Sequence, residues 1–278
     1  MRKKIFAIMA VAVAMLAITS CNNTGNDTQG ESIINRLFGN KTGVIFKEFT
    51  DSASIPLDSL SNESPKFTSK VILKVADSNN KEIEKRINKV ITYRAFGYDS
   101  INVKGAFNAF AEEMRDEYML LRPEYLNEKD VNNNSPWFNY NFDITGYDSR
   151  GYNNIINYTI QTIYFTGGNH GNEVYTLINF DPETGSEVTL QQLFNENYEE
   201  VLIDRLTNKL AQKIGATSTE DIQEKGYLLF NDMYITDNFL LEKDSMIFLY
   251  NNYDIAPYSQ GKTRLAFSYN ELKDIMKQ

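Results

Sequence analysis

A chain of 278 residues with a formal net charge of −9 repels phosphate backbones, which argues against nucleic-acid binding. Its single cysteine excludes an internal disulfide and any CxxC metal site. Its single histidine excludes a zinc centre built on two or three histidines, and no cofactor is expected.

In chain order, Arg2, Lys3 and Lys4 precede an apolar run from Ile5 to Ile18. Such a run is too short to span roughly 30 Å of hydrocarbon, and suits the core of a secretory signal over residues 1–20. Ile18-Thr19-Ser20-Cys21 resembles a lipobox, so Cys21 is the expected lipidation site and first mature residue. The expected location is the bacterial cell envelope, anchored to a membrane by acyl chains. In a host with an outer membrane, that membrane is the expected one, facing periplasm or surface. Cleavage removes three cations and no acid, moving the net charge from −9 to −12. A basic partner would be drawn to that surface, although solubility alone also accounts for it.

Residues 21–40 are polar and read as a flexible tether. A first lobe is expected over 41–130. It holds a strand at 42–50, a loop at 51–64, and a strand at 66–76 with Phe67, Val71, Leu73 and Val75 on one face. A helix follows with Ile83, Ile87, Val90 and Ile91 in register. A second, over about 103–121, aligns Phe107, Phe110, Met114, Tyr118 and Leu121. Pro123 is expected to end it. The carboxylates Glu112, Glu113, Asp116 and Glu117 read as a solvated face. Residues 127–135 are a polar linker, and a second lobe is expected over 131–278.

That lobe opens with aromatic strands over 137–147, 152–165 and 173–181, then a DPETG turn at 181–185. Thr189 is placed to cap a short helix, and Leu202, Leu206 and Leu210 mark a longer one over about 197–213. Residues 227–241 and 245–250 read as a strand pair. The end, from Ser268, reads as a short helix with Leu272, Ile275 and Met276 inward. The fold class is therefore α+β, with antiparallel sheets, helices packed on one face, and two small lobes.

Two segments carry candidate function. Gly167, Gly168, Asn169, His170, Gly171 and Asn172 form a glycine-rich connection between strands. It reads as a hairpin turn, as a ligand-contact loop, or as the seat of a catalytic histidine with Asp181 as orienting carboxylate. No GxSxG elbow accompanies it, and no catalytic residue is assigned. Tyr253, Asp254, Pro257 and Tyr258 form an aromatic segment that either flanks a groove for a sugar or peptide, or packs on the sheet.

"YFTGGNHGN", "INFDPETGSEVTLQQLF" and "DSMIFLYNNYDIAPYSQG" together resemble the RsiV-like envelope family, a domain of unknown function numbered 3298. The resemblance covers about 137–278. Residues 66–125 more loosely resemble the PdaC-type companion domain that precedes it. The resemblance implies an extracytoplasmic binding or sensing module, with peptidoglycan glycan or a lysozyme-like basic protein as partner. A hydrolase or deacetylase accessory, and a purely structural envelope lipoprotein, remain alternatives. The sigma-binding and membrane-spanning segments of the family's sensor are not expected here.

Overall fold

The computed structural model describes residues 43–128 and 136–277. Cys21, the signal, the tether and most of the polar linker lie outside the described residues. The fold is α+β, with a five-stranded sheet, a three-stranded sheet and, among the described residues, seven α-helices.

The first sheet has the order β1-β2-β3-β4-β5. Strands β1 (Val44–Pro56) and β2 (Lys66–Ser78) form a long antiparallel pair. Helices α1 (Lys81–Phe96), α2 (Val103–Met119) and α3 (Arg122–Glu128) then carry the chain back. Strand β3 (Tyr140–Arg150) therefore enters beside β2 in the same direction, with Phe67 opposite Tyr140 and Leu73 opposite Gly146. This parallel junction differs from the all-antiparallel expectation. A helical crossover returns the chain to its starting end, whereas a tight turn would reverse it. Strands β4 (Ile156–Thr166) and β5 (Asn172–Phe180) complete the sheet as an antiparallel meander.

Alternation along these strands sends one set of side chains toward α1 and α2. Phe67, Val71, Leu73, Phe142, Ile144, Tyr158 and Ile160 meet Ile87, Ile91, Phe107, Phe110 and Met114 in one buried cluster. Phe110 meets Phe142 edge-on at 5.8 Å between ring centroids. Gly146 makes room for Tyr158. A Cβ there would lie 2.4 Å from the Tyr158 hydroxyl, which crosses the sheet to donate to the Lys74 carbonyl at 2.7 Å. This core draws on residues either side of the boundary expected at 130/131.

Beyond β5, the DPETG turn forms as expected: Asp181 Oδ1 accepts from the Glu183 and Thr184 amides. Thr189 and Gln192 close a capping box on α4 (Leu190–Leu193). Helices α5 (Glu199–Ile214) and α6 (Thr219–Glu224) follow. The second sheet comprises β6 (Phe239–Leu241), β7 (Ser245–Tyr250) and β8 (Thr263–Ser268), and α7 (Tyr269–Leu272) closes the chain. Leu202, Leu206 and Leu210 of α5 pack with Phe239, Phe248 and Phe267 in a separate buried cluster.

Three local expectations are corrected. Strand β1 continues to Pro56 because β2 pairs with it throughout. Pro123 opens α3 rather than ending the helical region, since the first helical turn has no use for its missing N–H. Residues 227–238 form no strand. Leu228 adopts φ +54, and its amide donates to the Ile255 carbonyl at 2.8 Å, so the segment is tied to the 253–258 turn instead of to β7.

Candidate functional site

The hairpin connection between β4 and β5 brings the two candidate segments together. Residues 167–171 close the hairpin beyond the Tyr164–Asn172 pair. Gly167 (φ +77) and Gly168 (φ +111) take conformations that side chains rarely adopt. A Cβ on Gly167 would stand 2.7 Å from the Trp137 carbonyl oxygen, so only glycine lets the loop lie against that residue. Asn172 locks the base: its Nδ2 donates to the Tyr164 hydroxyl at 3.0 Å, and its Oδ1 accepts from the Glu173 amide at 2.9 Å.

His170 stacks on Tyr258, with ring centroids 4.0 Å apart and planes 23° from parallel. Tyr258 in turn neighbours Tyr253 at 5.9 Å and 33°. Nδ1 of His170 lies 2.8 Å from the Gly171 carbonyl, a contact that needs the proton on Nδ1. In the neutral ring that leaves Nε2 as the acceptor nitrogen. Asp181 does not orient this ring. It sits at the other end of β5, roughly 25 Å of strand away, and its carboxylate builds the turn there.

The facing segment is held just as firmly. Pro257 (φ −60, ψ 159) leads into the single helical turn of Tyr258–Gln260 and fixes where the Tyr258 ring begins. Tyr253 adopts φ +73, a strained conformation for a bulky residue, and closes a turn by donating its amide to the Ala256 carbonyl at 3.0 Å. The residue is 56% exposed. Asp254 turns inward, where its carboxylate accepts from the Asn251 amide at 2.7 Å. Burial pushes that carboxyl above the usual aspartate range, and the Asn251 N–H only partly offsets the effect. Asn252 Nδ2 donates to Asn172 Oδ1 at 3.1 Å, joining the segment directly to the hairpin.

Side-chain amides, not a backbone ladder, dock this half of the molecule on β5. Asn251 accepts from the Tyr175 amide at 2.8 Å and donates to the Tyr175 carbonyl at 3.0 Å. Asn238 accepts from the Leu177 amide at 2.7 Å and donates to the Tyr175 carbonyl at 3.0 Å. Asn179 returns the favour, donating to the Phe239 carbonyl and accepting from the Leu241 amide. Each amide supplies the donor and acceptor that a neighbouring strand would have offered.

The chain just past the Tyr253–Tyr258 segment enters a cluster absent from the residues singled out by sequence. Lys262 pairs with Glu173, and its Nζ stands 4.5 Å from the centroid of the Tyr175 ring. Glu173 also accepts from Gln161 Nε2 and, at 2.8 Å, from the Tyr175 hydroxyl. The Lys262 ammonium, aided by the Tyr175 and Gln161 hydrogen bonds, holds the Glu173 carboxyl below its usual range against the opposing cost of burial. The Tyr175 phenol is pushed up to about 12 by burial first and by the Glu173 charge second. The polar parity of Gln161, Glu173 and Tyr175 was visible in the strands, but nothing in the local pattern links them to Lys262. Among the described residues, no group of three or more His, Cys, Asp or Glu side chains is placed to hold a metal ion. None of the described helices is long and apolar enough to cross a membrane.

Against known proteins, residues 191–270 match the model of a family described as protein of unknown function, DUF3298. That stretch holds the Tyr253–Tyr258 segment and Lys262 but stops short of the hairpin. The chain is similar to the crystal structure of a member of the DUF3298 family from Bacteroides fragilis NCTC 9343, with 25% identity and a TM-score of 0.76. That likeness covers 86% of this chain and 96% of the other. It also shares its fold with a DUF3298 family protein from Pseudomonas aeruginosa PAO1, at 15% identity and a TM-score of 0.57, over 87% of this chain and 96% of that one. No curated protein matches.

Proposed function

We propose that the protein is a lipid-anchored, non-catalytic binding module of the bacterial cell envelope that takes up wall glycan on the ledge formed by His170, Tyr258 and Tyr253. Its lipid anchor would be Cys21, and its architecture that of an RsiV-like domain preceded by a PdaC-type companion. The observation that carries this reading is the stack itself. Two segments far apart in the chain are fastened by Asn172 and Asn252 so that partly exposed rings stand in a row. The Tyr258 face that meets His170 is taken up by the stack, so the surfaces left for the C–H groups of a sugar are the outer sides of the end rings, with polar tips beside them. The lone His170 makes its one ring hydrogen bond among the described residues to a main-chain carbonyl, which suits a positioning role better than proton transfer.

A second reading, in which the partner is a basic, lysozyme-like protein, draws on the net charge of −12 left once the three signal cations are removed from −9. Co-sedimentation of the mature chain with insoluble peptidoglycan, beside capture on immobilised lysozyme across a salt series, separates the two. The glycan reading expects retention on peptidoglycan that resists salt and is lost in Tyr258→Ala. Salt-sensitive capture on lysozyme alone would transfer the assignment to the second reading. Retention on neither would overturn both.

A further inference from the structure

We infer that the binding surface continues from the ledge onto the open face of the first sheet, where Gln161, Glu173, Tyr175 and Lys262 form a second subsite for an uncharged, polyhydroxylated unit of the same chain; the ligand is then an oligosaccharide spanning both places. This rests on the glycan reading above and adds its length requirement and a second point of recognition.

The placement follows from register. Even-numbered residues of β4 face α1 and α2, so Gln161 and Ile163 face the other way. Their partners across the ladders, Tyr175 and Glu173 on β5 and Thr145 and Asp143 on β3, share that open face, and Tyr147 lies two residues along from Thr145. Tyr147 and Ile163 are 45% and 43% exposed, which leaves apolar surface beside the polar cluster. Asn172 itself leaves β5 on the helical side with Tyr164. The path from the ledge to the cluster therefore runs round the outer edge of β5, where Asn251 bonds the Tyr175 main chain, and covers three residues of strand, roughly 10 Å, more than one sugar ring spans.

The chemistry of the cluster selects its occupant. Glu173 and Lys262 neutralise each other while their side chains stay 30% and 29% exposed. A charged partner gains little from a carboxylate already paired, whereas a neutral ligand pays no penalty for uncancelled charge. Gln161 Nε2 is committed to Glu173 and to the Tyr175 hydroxyl, which directs the amide so that its Oε1 has no partner among the described residues. An ammonium has three protons, and Glu173 takes one. The subsite thus offers a fixed acceptor and a fixed donor beside an aromatic wall, the arrangement that hydroxyl and acylamino groups of a sugar require. Lys262 reaches the cluster from the loop before β8, so ledge and cluster share the 251–262 segment as a common wall.

The test is the dependence of affinity on chain length. The full mature chain, purified in detergent, is titrated with the monomer, dimer and hexamer of N-acetylglucosamine, read by calorimetry and by fluorescence of Trp137. Hexamer should bind at least about tenfold more tightly than dimer, and Gln161→Ala and Lys262→Met should each remove about tenfold from the hexamer alone, the worth of one hydrogen bond. Circular dichroism and the urea midpoint check that each variant is folded, and Gln161→Ala, on the open face, serves if Lys262→Met does not fold. Equal affinities for dimer and hexamer, or a Gln161→Ala protein that binds hexamer as wild type does, would overturn the subsite while leaving the ledge reading in place. No binding of any oligomer by the wild-type protein, with lysozyme captured instead, would overturn the glycan reading and the subsite together.

Discussion

Tyr253 offers a way to separate strain from recognition. It is a bulky side chain at φ +73, and that backbone conformation costs a residue with a Cβ about 1–2 kcal/mol. Replacing it by alanine removes the ring but keeps the strain. Glycine removes both, at an entropic cost of about 0.5–1 kcal/mol in the unfolded chain. The two variants share every other loss, including the neighbouring Tyr258 ring at 5.9 Å. Tyr253→Gly should therefore be more stable than Tyr253→Ala by about 0.5–1 kcal/mol, an offset of about 1–4 °C in Tm for a chain of this size. Urea unfolding followed by circular dichroism, with equal m-values required, supplies the comparison. Both variants should lose glycan binding alike. An alanine variant as stable as the glycine variant would show that the strain only matches glycine's entropic cost of about 0.5–1 kcal/mol, and would refute the larger strain expected of this turn. Retained binding in both would show that the strained ring is not what the ligand meets.

Other consequences can be checked directly. Gly167→Ala adds a Cβ at 2.7 Å from the Trp137 carbonyl in a positive-φ position and should cost about 1–3 kcal/mol, with a shifted Trp137 emission spectrum as the local signature. Asn251→Ala strips the Tyr175 amide and carbonyl of their partner; a loss of about 2 kcal/mol in urea unfolding is expected, with faster amide exchange along β5. The Lys209 ammonium, with the Ser268 amide and hydroxyl, lowers the Glu271 carboxyl to about 2. A depressed acid contributes stability that is complete above its ordinary value near 4.5 and is lost as pH falls from there toward 2, so Glu271→Gln should flatten the stability profile across that window in a pH series of thermal melts. Cys21→Ser should release the protein from the membrane fraction on cell fractionation; continued membrane association would refute the lipid anchor.

Much of the architecture was legible because local periodicity sufficed. The stripe through Phe107, Phe110 and Met114, the alternation through Phe67, Val71 and Leu73, and the turn chemistry of Asp181 to Gly185 each encode an element in a short window. The hairpin at 167–171 was legible for the same reason. What local pattern hides is pairing at a distance. A parallel partner for β2 has no signature in β2 itself, and residues 227–238 look extended until Leu228 is seen tied to Ile255. The two candidate segments each stood out by composition. That His170 would lie flat on Tyr258 depended on Asn172 finding Asn252, and a lone asparagine does not announce its partner. Lys262 went unnoticed because one lysine in a polar loop looks like any other solvated cation until Glu173 is set opposite it.

The parallel seam between β2 and β3 carries a consequence for biogenesis. A polypeptide leaving a translocation channel amino-terminus first would deliver β1, β2 and both long helices well before residues 140–146 emerge to cover the inner margin of β2. During that interval the strand offers bare main-chain groups to any passing extended segment. If the chain is exported as proposed, efficient maturation then depends on how fast the later strands arrive or on a holding chaperone outside the cytosol. A secreted fragment truncated before residue 136 should accumulate as aggregate, not as a free-standing lobe.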